Sequence, residues 1–394
     1  MATRHLLRSA LHLTLVAATA APLVACERGD GGPIGVAGST AAEPASTEPA
    51  STEPASAEPA STEPASTEPA STEPASTEPA STEPASTEPA TTEPAGAPDT
   101  SVGPAGTYEV VSVVGRTTDP ARDRVISYQV YAPAGVPGPV PVILVSHGGE
   151  GNRNGHLSAP YLGTTFASGG FVAIHLAHDV SVDGRRQVDD RPADITFLLD
   201  ELAAGRIDLP AGFPGTPDLD RVGHTGHSFG AYTSHAVAGA DYGRPTTRDD
   251  RIDAIAPISP QGPDQFGAFL TAEANTWQTV TIPVFDLIGG DEVDSNAVDS
   301  IVRPGWRLVP FQHYPGTSDT YQVVIDGQRH SDMWRTGSPE VQTFVATEIL
   351  DFMRVYVAGD TTVDVCTIGV GDLSITSLDR RPADGGDTAL AACA

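Results

Sequence analysis

The stretch Asp220-Arg221-Val222-Gly223-His224-Thr225-Gly226-His227-Ser228-Phe229-Gly230 decides how this chain is read. A short apolar and β-branched run ends in Gly226-His227-Ser228-Phe229-Gly230, and a small-residue stretch, 231–240, follows at once. That order predicts a strand, a sharp turn and a helix. The Gly-x-Ser-x-Gly pattern lifts a serine oxygen above the carboxyl edge of a sheet on a tight, strained turn. Glycine at 226 and 230 has a steric reason, because a side chain at either place would meet the neighbouring strand or helix.

Working outward, residues 140–146 form a nearly continuous apolar run, as expected of a strand buried on both faces. It ends in the flexible His147-Gly148-Gly149-Glu150-Gly151. A helix is expected over 157–167, closed by Gly169-Gly170, then a strand over 171–177. Residues 191–204 space Ile195, Leu198, Leu199 and Leu202 for one side of an amphipathic helix. Upstream, 107–114 and 125–133 predict two antiparallel strands around a polar turn at 119–123. Downstream, 252–258, 281–288 and 321–325 are further strands, and 339–355 is a closing helix burying Val341, Phe344, Val345 and Ile349. Strands alternating with helices predict an α/β domain over 106–358, a mostly parallel sheet with helices on both faces. Residues 359–394 are expected as a tail rich in Asp and Gly, with weak strand signals at 363–370 and 373–378.

The chain has 394 residues, but composition removes the first hundred from any core. Residues 1–25 carry Arg4 and Arg8, an apolar run, and small residues before Cys26. This resembles a bacterial lipoprotein signal peptide, which implies export and lipidation at Cys26. The apolar run is short and broken by Thr and Pro, which argues against a transmembrane helix. Residues 41–95 are eleven tandem pentapeptides, mostly Ser-Thr-Glu-Pro-Ala. A proline every fifth residue stops a helix, and nothing there is large and apolar, so 26–105 is expected to be a disordered stalk. As a polyproline-like stretch at about 3.1 Å per residue, the repeats would reach on the order of 170 Å. The repeats supply eleven of the 29 net negative charges. The remainder is still acidic, which makes nucleic acid a poor partner. All 22 basic residues are arginine. With Cys26 committed to lipid, Cys366 and Cys393 are available for one disulfide in an oxidising compartment.

Several separated pieces together resemble a known family. They are strand-His147-Gly148-Gly149, Gly169-Gly170-Phe171-Val172-Ala173, Arg191-Pro192-Ala193-Asp194-Ile195, the elbow at 226–230, and Ser259-Pro260-Gln261-Gly262. This order is similar to the predicted dienelactone hydrolases, α/β hydrolases related to platelet-activating-factor acetylhydrolases and, more distantly, to cutinase-like polyester hydrolases. The resemblance spans residues 108–355 and implies the α/β-hydrolase fold. One departure is that dienelactone hydrolases proper use a cysteine nucleophile, where this chain has Ser228.

A serine hydroxyl needs a base during attack on a carbonyl. In this fold the acid and then the histidine follow the serine along the chain, which leaves His313 or His330 as base. His330 is favoured, because it follows the last strand, where the family's catalytic histidine lies. The acid is expected just beyond strand 281–288, where Gly289-Gly290-Asp291-Glu292-Val293-Asp294 offers three carboxylates. Asp291 is the first choice, with Glu292 and Asp294 as alternatives. The oxyanion hole is expected to be the backbone amides of Phe229 and Gly149. His147, His224 and His227 are read as packing or hydrogen-bonding residues, since no Cys or carboxylate lies at metal-like spacing nearby. No metal, nucleotide or cofactor motif is read. The expectation is a monomeric, lipid-anchored serine esterase acting on small ester substrates. A cutinase-like polyester hydrolase and a non-catalytic surface module are the alternatives.

Overall fold

The computed structural model describes residues 102–149, 154–263, 275–293, 305–385 and 388–393. The leader (1–25), Cys26 and all but the last four residues of the expected stalk lie outside them, as does Asp294.

Nine strands form one sheet: β1 (Val110–Asp119), β2 (Arg124–Pro133), β3 (Pro139–Ser146), β4 (Val172–Ala177), β5 (Thr216–His227), β6 (Ile252–Ile258), β7 (Val284–Gly289), β8 (Thr320–Ile325) and β9 (Ile375–Arg381). Their spatial order is β1-β2-β4-β3-β5-β6-β7-β8-β9. The pairs from β4 through β3, β5, β6 and β7 to β8 are parallel. The β1-β2, β2-β4 and β8-β9 pairs are antiparallel. The fold is therefore α/β with a mostly parallel sheet, as the alternation of patterns predicts.

Side chains on a strand alternate between faces, and β3 shows why its sequence is apolar throughout. Val142 and Leu144 enter one core with Val188, Ile195, Leu198, Leu199, Tyr232 and Val237. Ile143 and Val145 enter the other with Leu162, Phe166, Val345, Ile349 and Phe352. The first core is capped by α2 (Gly184–Ala203) and α3 (Phe229–Val237), the second by α1 (Pro160–Ser168) and α6 (Pro339–Tyr356). Two short helices, α4 (Gly290–Val293) and α5 (Val309–His313), follow β7.

The helix expected to start at 191 begins seven residues earlier. Asp183 caps it, its carboxylate accepting from the Arg186 amide at 3.0 Å. Pro192 lies inside α2 and removes the donor that would bond the Val188 carbonyl, a costly break in a helix interior. The Tyr232 hydroxyl of α3 donates to that carbonyl at 2.9 Å, so the gap in one helix becomes a tie to the next.

Two boundaries need correction. Residues 102–105 were expected in the stalk, yet the Gly103 amide donates to Gly169 O at 3.0 Å behind α1. Residues 359–394 are not an appendage: β9 adds a ninth strand along β8, and Ile368 and Leu390 are buried in the second core. The expected strand at 363–370 is instead a short 3-10 turn, Val365–Thr367. Asp319 holds the tail by accepting from the Ala383 and Leu390 amides, both at 3.0 Å. Cys366 and Cys393 are disulfide-bonded, with Cα atoms 5.4 Å apart.

Candidate active site

Ser228 stands at the junction of β5 and α3 with φ 56° and ψ −115°, a conformation that costs a non-glycine residue free energy and persists only where its surroundings enforce it. Its amide donates to Ile258 O at 2.9 Å. A Cβ at Gly226 would lie 2.7 Å from Gly230 O and Ser146 O, and one at Gly230 would overlap the Ser146 carbonyl. Both glycines thus do what the motif requires. From residue 222 to 238 every residue is buried except Ser228. The turn therefore presents one hydroxyl and hides everything around it.

His330 follows β8 and meets the elbow through His227. The two rings lie 4.4 Å apart, and His227 Nε2–H donates to the His330 carbonyl at 2.8 Å. Because a carbonyl only accepts, this bond fixes the His227 tautomer. Burial, and then the neighbouring His330, hold the His227 imidazole well below its usual pKa. Trp334 also stacks on His227, ring centroids 5.4 Å apart. Among the described residues, neither the Ser228 hydroxyl nor His330 Nε2 has a hydrogen-bond partner. The His330 side chain is 34% exposed.

The carboxylate at His330 is Glu292, not the expected Asp291. His330 Nδ1 donates to Glu292 Oε2 at 2.6 Å. Arg307 Nε reaches the same oxygen at 2.7 Å, while Ser259 Oγ (2.7 Å) and the Gly289 amide (3.1 Å) donate to Oε1. Successive residues on a helical turn point about 100° apart. On the single turn of α4 this leaves Asp291 exposed and turns Glu292 inward to 5% exposure. The glycine pair permits the turn to close on the loop after β8. The Asp291 amide donates to Gln328 O at 3.0 Å, and a Cβ at Gly290 would come within 3.0 Å of Ile325 O. His313, the rejected base, ends α5 and is half-buried.

Burial alone would raise the Glu292 carboxyl, but Arg307, His330 and Ser259 together hold it down at about 2. An unfolded glutamate titrates near roughly 4.3. The folded value lies below the unfolded one, so this group's contribution to stability is complete above that pH and disappears as pH falls toward 2. Urea midpoints between pH 5 and pH 2.5 should therefore fall more steeply for the wild type than for Glu292→Gln. Parallel curves would show that Glu292 contributes no acid sensitivity.

Gly148 and Gly149, just after β3, lie against the elbow. A methyl group added at Gly148 would sit 3.4 Å from Ser228 Cβ and 3.3 Å from His227 Nδ1, and one at Gly149 would sit 3.4 Å from the Phe229 ring. The structure thus brings Gly149 and Phe229, the two expected donors, side by side. The Gly149 amide forms no hydrogen bond with any described residue.

Sequence reading missed a second Ser-His-Asp set. Ser146 Oγ lies 2.9 Å from His178 Nε2, and His178 Nδ1 lies 3.0 Å from Asp194 Oδ2. Burial first, with Arg191 nearby, pulls the His178 imidazole down to about 4 despite the carboxylate, so it is neutral at pH 7. His178 Nδ1–H then donates to Asp194, and Ser146 Oγ–H donates to Nε2. Ser146 Oγ accepts from His224 Nε2 at 3.0 Å, and His224 Nδ1 accepts from Ser234 Oγ at 2.8 Å. Ser146 and Asp194 are fully buried and the Ser146 oxygen is enclosed by two imidazoles, so no substrate reaches it. The chain of bonds ends on Asp194, whose charge is matched by Arg122 at 2.8 Å and Arg124 at 2.7 Å. It ties α3, β5, β3, the residue just after β4 and α2 together. His224 is thus a hydrogen-bonding core residue.

Among the described residues no cluster of His, Cys, Asp or Glu could hold a metal ion, and no helix is long and apolar enough to cross a membrane. Comparison with protein-family models and with curated proteins found no match to this chain.

Proposed function

We propose that this protein is a serine carboxylic ester hydrolase with an α/β-hydrolase fold, working through an acyl-enzyme on Ser228. The observation that carries this reading is the Glu292-His330 pair at the same sheet edge as a strained, singly accessible Ser228. Ser228 Oγ would attack the ester carbonyl carbon while His330 Nε2 takes its proton. Collapse of the tetrahedral species breaks the bond to the alcohol, which leaves with that proton. Water, deprotonated by the same nitrogen, then releases the acid and restores the serine. Glu292 accepts from Nδ1–H throughout and stabilises the imidazolium without being protonated. The amides of Gly149 and Phe229 would receive the oxyanion.

The preference for small acyl esters rests on the sequence reading. An open groove of about 570 Å³ runs along Leu157, Pro160, Tyr161 and Trp334, the ring that stacks on His227. The sequence shows no long apolar helical run over 241–278 that could serve as a lid, and residues 264–274 of that segment lie outside the described residues. Export, a lipid on Cys26 and an extended stalk belong to the same reading and rest on the sequence.

A fluorophosphonate probe should label the wild type on Ser228, and p-nitrophenyl acetate and butyrate should show higher kcat/KM than the palmitate ester. Absence of both labelling and turnover would overturn the reading. A rate climbing from acetate to palmitate would replace it with a lipase.

A further inference from the structure

Arg191 is fully buried in α2, and among the described residues no carboxylate lies within ion-pairing distance of it. A buried charge is costly unless it is paired or well hydrogen-bonded. Its contacts therefore show what the fold uses it for. Nη1 donates to His147 O at 2.8 Å and Nη2 to Gly148 O at 3.0 Å. Nε and Nη2 both reach Gln187 Oε1 at 3.3 Å, which fixes the plane of the fork from within α2. The guanidinium carbon lies 4.3 Å from the centre of the Phe229 ring. One cation thus touches the carbonyls that precede the Gly148 and Gly149 amides and the side chain of Phe229, whose amide follows the serine.

A trans peptide is planar, and its N–H points opposite to its C=O. With the Gly148 carbonyl drawn toward Arg191, the Gly149 N–H must face away from α2. His147 reinforces this: its Nδ1 donates to the same Gly148 oxygen at 2.7 Å, and its Nε2 is held by the His178 amide at 2.9 Å. Gly148 and Gly149 have no side chain to hold them and Gly149 is exposed, so the peptide between them has little intrinsic reason to keep one orientation. Lysine could supply the charge but not two parallel donors in one plane.

We propose that Arg191 is a positioning residue of the oxyanion site, locking the Gly148-Gly149 peptide with its N–H toward the carbonyl oxygen of a substrate on Ser228 and holding Phe229 beside it. This rests on the serine-hydrolase reading above. The effect is on transition-state charge, since a misoriented amide weakens the developing oxyanion far more than the neutral ester.

The test compares wild type, Arg191→Gln and Arg191→Lys on p-nitrophenyl acetate, with inhibition by an aryl trifluoromethyl ketone, whose serine adduct places an oxyanion in the same position. Arg191→Gln should lower kcat about 100-fold with KM changed less than about threefold, and should weaken the ketone by about the same factor as kcat/KM. Arg191→Lys, which keeps the charge and most of the volume, should recover less than a tenth of the lost rate. If both variants fold and keep kcat and ketone affinity within about threefold of wild type, the assignment is wrong. Full rescue by lysine also overturns it, as does failure of both variants to fold, which would make Arg191 a folding residue. A wild type that neither hydrolyses the ester nor takes the fluorophosphonate removes the hydrolase reading itself, a failure distinct from an active wild type indifferent to Arg191.

Discussion

Ser228→Ala should lower ester hydrolysis by about 10⁴-fold or more while leaving the thermal midpoint nearly unchanged, and Ser146→Ala should do the reverse. Both serines sit at the carboxyl end of a parallel strand, and Ser146 is the one whose hydroxyl is already 2.9 Å from a histidine that bonds an aspartate. Distance alone would choose it. Accessibility decides against it, because Ser146 is fully buried and its oxygen already serves His178 and His224. Removing that oxygen leaves two buried imidazole nitrogens unpaired, at a cost of about 1–3 kcal/mol or more. The activity should stay within about tenfold. Ser228 has no such structural duty, so its loss should be seen in turnover and in fluorophosphonate labelling. A Ser228→Ala protein with near-wild-type rates would remove Ser228 from the mechanism. Retained labelling in that variant, lost in Ser146→Ala, would move the nucleophile to Ser146.

Glu292→Gln should cost on the order of 10⁴-fold in kcat, against less than about threefold for Asp291→Asn. The amide can still meet His330, but it no longer stabilises the imidazolium, and its NH₂ can impose the wrong tautomer. Arg307 would also lose the carboxylate that balances it, so the variant should be less stable as well as slow. Assays therefore need a temperature well below its midpoint. Glu292→Asp, one methylene shorter on the same helical turn, should keep part of the activity because the charge remains. Equal and small losses at 291 and 292 would place the acid elsewhere. Asp286 would not be the next choice, since it is fully buried and accepts from the Tyr314 hydroxyl at 3.1 Å on both carboxylate oxygens.

The sequence by itself determined the layered α/β architecture, because strands buried on both faces must be apolar at consecutive positions, as in 140–146, while helices bury only a stripe. It also determined the elbow, since no other residue than glycine fits at 226 and 230 once a strand must turn directly into a helix. What depended on long-range geometry was not legible. Asp291 and Glu292 are neighbours of nearly identical chemistry, and only the rotation of a four-residue helical turn, set by its contact with 325–328, selects the one that faces His330. Arg191 and Arg307 donate to backbone carbonyls 43 to 48 residues away, and a carbonyl carries no residue-type signal in the sequence. The tail's own residues give only a weak strand signal, and β9 is held by the edge of β8, with Asp319 and the Cys366-Cys393 bond fixing the chain around it. Local sequence specifies what a segment can form, and the choice of partner is made by whatever edge, charge or carbonyl the rest of the fold leaves uncovered.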